Sequence, residues 1–105
     1  MRRETVMVTS WAEVVRRYEK GAQLPSMPGA RTLEVTGADD EYIYVAHRLW
    51  QDKITRGYLE KAMQLLEEGK MTNDYGAVVD YYRTYIADER PTTAATILKD
   101  LGYVR

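Results

Sequence analysis

Two different apolar periodicities divide this chain of 105 residues, and together they limit the folds open to it. After a Ser-x-x-Glu capping box at Ser10 and Glu13, apolar residues recur at intervals of three and four, as in a helix with one buried face. Residues 42–50 alternate instead between two sets of side chains, which is typical of a strand. The chain is therefore expected to combine helices with a sheet.

Glycines, prolines and helix caps set the limits of the predicted elements. We predict strands over residues 5–9, 31–36 and 42–50, and helices over residues 10–21, 54–68, 74–90 and 92–102. Residues 22–30 hold two prolines and a glycine, and they are predicted to form a loop. The expected fold is a single α+β domain over residues 1–105, with one small, mostly antiparallel sheet packed by three or four helices in the order β-α-β-β-α-α-α.

Each predicted helix carries one apolar stripe that is expected to face the core. The second helix presents Tyr58, Leu59, Ala62, Leu65 and Leu66. The third presents Tyr75, Val78, Val79, Tyr82, Tyr85 and Ile86, with Tyr81 off the stripe. Pro91 is expected to stop that helix and Thr92 to cap the last one.

Composition excludes several classes of protein. With no cysteine, the chain has no disulfide, no thiolate nucleophile and no cysteine metal site. It has no apolar run long enough for a membrane span and no apolar run of signal-peptide type after its first residues, so we expect a cytoplasmic protein without a membrane partner. Few amide side chains beside 30% charged residues also fit a thermophilic source.

The strand over residues 42–50 carries the candidate functional residues. Alternation is expected to place Ile43, Val45, His47 and Leu49 on an apolar face. The opposite face holds Tyr42, Tyr44, Ala46, Arg48 and Trp50, with Lys53 and Arg56 following shortly after. Aromatic rings beside cations are what base stacking and phosphate contact require. Tyr42, Tyr44, Arg48, Trp50, Lys53 and Arg56 are therefore the candidate binding residues, for DNA or RNA in the first hypothesis.

Two other interpretations of these residues stay open. Tyrosine and tryptophan favour strands in any case, and a helix covering this face would make the same rings part of the core. The chain also holds nine tyrosines, no phenylalanine and a net charge of only −1, which is the composition of a protein-binding or self-associating module. A homodimer is then the expected assembly.

An enzyme is the third hypothesis, because no nucleophile, base and stabilising group can be assembled from the sequence. His47, the single histidine, has no second histidine or cysteine with which to share a metal, and it is expected to be structural. The acids Asp39, Asp40 and Glu41 are expected to form a solvated turn. No metal site and no cofactor are predicted.

Overall fold

An antiparallel sheet with helices packed on one of its faces makes up the fold. The structure, a computed structural model, describes residues 10–25, 32–47 and 49–105. Its elements are helix α1 (Trp11–Tyr18), strands β1 (Ala22–Pro25), β2 (Thr32–Ala38), β3 (Tyr42–His47) and β4 (Trp50–Thr55), helices α2 (Arg56–Glu67) and α3 (Tyr75–Tyr81), a π-helix (Tyr82–Ile86) and helix α4 (Pro91–Asp100). The predicted α+β class is confirmed, and the predicted strand over residues 5–9 lies outside the described residues.

The register of the sheet decides which side chains are buried. The strands lie in the order β1-β2-β3-β4, and all three pairings are antiparallel. Directly paired residues share a face, so the pairing of the fully buried Ile43 with the fully buried Ile54 identifies the inner face of the sheet. Side chains from this face and from all four α-helices form one hydrophobic core.

The first strand replaces the beginning of the predicted loop. Residues 22–30 were expected to be irregular, but residues 22–25 form β1 and pair with β2, so this prediction is wrong for its first four residues. Leu24 pairs with Leu33 on the inner face, and both side chains are buried. Pro25 ends an edge strand, where a missing N–H is tolerated. Residues 26–30 lie outside the described residues.

A hairpin interrupts the predicted strand over residues 42–50. β3 ends at His47, β4 begins at Trp50, and these two residues pair with each other across the turn. Leu49 was expected in the core, but it lies in the turn and is 93% exposed. The predicted strand is therefore two strands, and the following helix begins at Arg56 rather than at Ile54, which is buried in the sheet.

Local signals place the first two helices well. Ser10 and Glu13 form both hydrogen bonds of the predicted capping box, and Trp11, Val14 and Tyr18 are buried. Leu59 and Ala62 of α2 are buried as predicted, while Tyr58 is 41% exposed instead of lying in the core. Among the described residues, no helix has both the length and the apolar composition needed to cross a membrane.

The π-helix rotates the end of the third helical segment. Val78 and Tyr82 are buried as their spacing predicts, but Tyr85 is 73% exposed and the prediction for it is wrong. A π-turn holds more residues than an α-turn, so the stripe drifts around the axis after it. Tyr81 instead packs partly against the core, and its ring lies 4.7 Å from that of Tyr85.

The last helix begins one residue earlier than predicted. Its first residue is Pro91, where a proline fits because no N–H is needed, and its N-cap is Arg90 rather than Thr92. Arg90 has a left-handed backbone, with φ of 46°, and makes no side-chain cap hydrogen bond. The first turn of α4 therefore lacks the usual polar cap.

Two outward donors of the edge strand β4 are occupied. The N–H of Lys53 donates to Oδ1 of Asp52 at 2.8 Å, and the N–H of Thr55 donates to Oε1 of Glu89 at the same distance. The Thr55 hydroxyl donates to the second oxygen of Glu89 at 2.9 Å. Two backbone donors of this edge are thus satisfied by carboxylates of the same chain.

A buried hydrogen bond ties the first helix to the last. The hydroxyl of the fully buried Tyr18 donates to Oδ2 of Asp100 at 2.5 Å, and Nε of Arg17 donates to the same oxygen at 2.8 Å. Burial by itself raises the pKa of Asp100, but the hydrogen bonds from Arg17 and Tyr18 outweigh it and hold that pKa below its usual value. Asp100 therefore stabilises the fold in its charged form.

We expect Asp100→Ala to lower the free energy of unfolding by about 1 to 3 kcal/mol, because the Tyr18 hydroxyl loses its acceptor inside the core. A carboxylate with a depressed pKa in the folded state stabilises above its unfolded pKa, and that contribution disappears as the pH falls through the folded pKa. The difference in urea unfolding between wild type and variant should therefore be full at neutral pH and shrink below pH 3.8. Asp80→Ala, on the exposed side of α3, is the control.

A wild type and an Asp100→Ala variant of equal stability at neutral pH would contradict this role for Asp100.

Candidate functional site

The turn between β3 and β4 divides the predicted binding residues between two faces. Tyr42, Tyr44 and Lys53 lie on the solvent side of the sheet, since Tyr44 pairs with Lys53 and alternates with the buried Ile43. Trp50 pairs with His47 and belongs to the inner side. The prediction that Trp50 shares a face with Tyr42 and Tyr44 is therefore wrong, because residues 42–50 are not one strand.

The solvent side of the sheet, which we call the outer face, carries two tyrosines and, among the described residues, a balanced pair of charges. Its described residues include Gln23, Thr32, Glu34, Tyr42, Tyr44, Ala46, Gln51 and Lys53. Tyr42, Tyr44 and Ala46 are half-buried, and the other five are exposed. Its charged side chains are one acid, Glu34, and one base, Lys53, whose Nζ lies 4.2 Å from the centre of the Tyr42 ring.

Tyr44 is held in place by the acidic turn between β2 and β3. Its hydroxyl donates to Oδ2 of Asp39 at 2.5 Å, while Oδ1 accepts the N–H groups of Glu41 and Tyr42. The Tyr44 hydrogen bond, followed by the two backbone bonds, holds the pKa of Asp39 below its usual value. Asp39 therefore acts as the anchor of this turn and of the Tyr44 ring.

Arg56 lies at a corner beside this turn, and two of its three nitrogens donate to acidic residues. Nη1 donates to the carbonyl and to Oδ1 of Asp40, each at 3.0 Å, and Nε donates to Glu60 at 3.1 Å. Its guanidinium carbon also lies 5.4 Å from the centre of the Trp11 ring. Arg56 is thus a structural contact between α1, the turn and α2. The side chain of Arg48 lies outside the described residues.

Trp50 belongs to a second cluster, at the opposite end of the hairpin from Asp39. Its ring stacks beside that of His47, with centres 5.7 Å apart and an interplanar angle of 17°. The Arg90 guanidinium lies over the same ring at 3.8 Å, and its Nε donates to Oδ2 of Asp52 at 2.8 Å. The hydrogen bond from Arg90 is the main cause of the lowered pKa of Asp52.

This cluster forms one wall of a groove that we call the Thr93 groove. It has a volume of about 340 Å³ and is lined by Leu33, His47, Trp50, Arg83, Asp88, Arg90 and the first residues of α4, including Thr93. The size is that of a small-ligand pocket. The groove brings together residues from β2, β3, β4, the π-helix and α4.

Sequence reasoning missed the Thr93 groove. His47 and Trp50 were singled out, but on opposite faces of one strand, and Arg83 and Thr93 were not considered. The only local signal was the cap region at Pro91, because the other contacts join residues far apart in the chain. Comparisons with protein-family models, with curated proteins and with solved structures give no match.

We expect Tyr44→Phe to raise the pKa of Asp39 towards its ordinary value, because the Tyr44 hydroxyl is the main group that lowers it. Carboxyl carbon shifts followed by nuclear magnetic resonance during an acid titration would measure this change. Tyr42→Phe is the matched control, since no hydrogen bond of the Tyr42 hydroxyl to Asp39 is present. Equal pKa values of Asp39 in wild type and Tyr44→Phe would contradict the anchoring role.

Proposed function

We propose that this chain is a small, non-catalytic binding module that associates with a second copy of itself through the outer face. The observation that carries this proposal is Leu49, which is 93% exposed in the turn at the end of that face. An antiparallel sheet often leaves one face to water, but such a face is normally polar. Here five of the eight residues are polar, but two tyrosines lie among them beside the projecting Leu49, and tyrosine is enriched in contact surfaces.

The outer face complements its own copy in charge. Glu34 and Lys53 lie on either side of β3, next to Ala46 and Tyr44 respectively. A twofold axis through β3 between Tyr44 and Ala46 brings Lys53 of each copy opposite Glu34 of the other. The same patch then serves both partners, which is the arrangement of a symmetric dimer.

The size of the outer face sets the expected affinity. With strands about 4.8 Å apart and a rise of about 3.4 Å per residue, it covers roughly 15 Å by 20 Å. That is about 300 Å² per copy, well below the roughly 800 Å² per partner of a standard specific interface. We therefore expect a weak, reversible dimer, with tyrosine rings at its centre and the ion pairs at its rim.

The nucleic-acid hypothesis receives less support from the same geometry. Arg56 is bonded to Asp40 and Glu60, and Arg90 to Asp52, so these guanidinium groups already have acidic partners. Among the described residues of the outer face, Lys53 and Glu34 balance each other in charge. Since phosphate contacts supply most of the affinity in non-specific nucleic-acid binding, a neutral face is poorly suited to it.

A charge-exchange experiment tests the dimer. Sedimentation velocity from micromolar to millimolar protein should show a monomer–dimer equilibrium for the wild type. Lys53→Glu or Glu34→Lys alone should weaken the dimer by about tenfold or more. Each substitution places like charges opposite each other at both symmetry-related contacts. The double variant with both substitutions should restore most of the affinity. Lys61→Glu, an exposed site on α2, is the control for a change in net charge.

Two results would overturn the proposal. One is a wild type that stays monomeric at millimolar concentration. The other is a dimer that neither single charge reversal weakens. Salt-dependent binding of single-stranded DNA or RNA by a monomer, lost in Tyr44→Ala with the fold intact by circular dichroism, would replace it with the nucleic-acid hypothesis.

A further inference from the structure

We infer that the Thr93 groove binds a small oxyanion, a phosphate or carboxylate group, between the first turn of α4 and the Arg83 and Arg90 side chains. This inference does not rest on the proposed dimer.

Thr93 is the first observation that points to a ligand. It is only 9% exposed and lines the groove, and its hydroxyl makes no hydrogen bond within the described part of the chain. Its neighbour along the helix, Thr96, is different, because its hydroxyl donates to the carbonyl of Thr92 at 3.0 Å. The Thr93 hydroxyl is not among the fully enclosed polar atoms of the described residues, so it opens into the groove, where a ligand can meet it.

The backbone of α4 supplies further donors at the same place. Its N-cap residue gives no side-chain cap, and the N–H groups of Thr92 and Thr93 have no acceptor among the described residues. The free N–H groups at the start of a helix attract anions, both as hydrogen-bond donors and through the helix dipole. A helix of ten residues beginning at Pro91 has this property, and here the donors lie beside a hydroxyl without a partner.

The arginines supply further hydrogen-bond donors to the groove. Arg90 uses Nε for Asp52, while Arg83 approaches Asp80 only at 3.7 Å. Within the described residues, the terminal nitrogens of both guanidinium groups make no hydrogen bond. Asp88 is the one acid among the described lining residues, while Asp52 and Asp80 are the ion-pair partners of Arg90 and Arg83. Guanidinium groups and helix N–H donors together match the geometry of an oxyanion.

The apolar part of the lining limits what the oxyanion is attached to. Leu33, Trp50 and Pro91 lie in the groove beside the donors. A volume of about 340 Å³ accommodates a small organic molecule. The expected ligand is therefore a small phosphate or carboxylate compound and not a polymer.

Heteronuclear magnetic resonance on the full chain tests the site, with inorganic phosphate and acetate as separate probes. We expect saturable shifts of the Thr92 and Thr93 amides, the His47 ring and the Trp50 indole with at least one probe. The probe that binds more tightly identifies the group that the site prefers. The Trp11 indole, which donates to the carbonyl of Asp39, should not move and serves as an internal reference.

Matched variants separate specific binding from general attraction. Thr93→Val and Arg83→Gln should each weaken binding by about tenfold, because a hydrogen bond to a charged group is worth at least about 1.4 kcal/mol, or one factor of ten. Thr84→Val, an exposed threonine outside the groove, and Lys61→Gln should leave it unchanged. Arg83 is half exposed, so its variant is expected to fold even if Thr93→Val does not.

The inference fails if neither probe gives a saturable shift at these residues. It also fails if the shifts saturate but Arg83→Gln and a folded Thr93→Val bind as tightly as wild type.

Discussion

The pairing of Ile43 with Ile54 is the contact on which the rest of the structure depends. It sets the register of β3 against β4 and so decides the face of every other side chain in the hairpin. A slip of β4 by one residue would expose Ile54 and turn Lys53 inwards. Because the fully buried Val35 and Val45 repeat the same pattern one strand further, the register is strongly determined by burial.

This register also creates two separate surfaces from one stretch of sequence. The outer face holds Tyr42, Tyr44 and a balanced pair of charges. Trp50 lies on the inner side, where its ring packs against the edge of the hydrophobic core. There Trp50 meets Arg90, a residue held in a left-handed conformation that costs about 1 kcal/mol or more for a side chain other than glycine. The contacts of Arg90 with Trp50 and Asp52 offset that cost and fix the entry into α4.

The parts of the fold that are encoded locally could be predicted from the sequence. Ser10 and Glu13 lie three residues apart, so the capping box and the helix after it need no distant contact. Gly69 and Gly102 have positive φ angles of 72° and 95°, and they follow α2 and α4 where expected.

The predictions are wrong where contacts between residues far apart in the sequence determine the local structure. Nothing at residues 48 and 49 signals a turn, because neither is glycine, proline, asparagine or aspartate. Leu24 becomes part of a strand only because Leu33 is its partner, and the π-helix that exposes Tyr85 leaves no mark in the apolar spacing. The candidate site was predicted only in part. Tyr42, Tyr44 and Lys53 share a face because side chains alternate along β3 and β4. The face of Trp50 depends on the turn between these strands, which the sequence did not indicate.

The occupied donors along β4 make the addition of a further strand at this edge less favourable. An exposed edge strand is a template on which further chains can add without limit, since each new strand offers another free edge. Asp52 and Glu89 hold the N–H groups of Lys53 and Thr55, so an incoming strand would have to displace two carboxylates that already satisfy them. The other edge ends in Pro25, which has no N–H to offer. Addition of further strands at the edges is thereby disfavoured. Association through one face of the sheet would instead stop at two copies, because the face of each copy is then covered by the other.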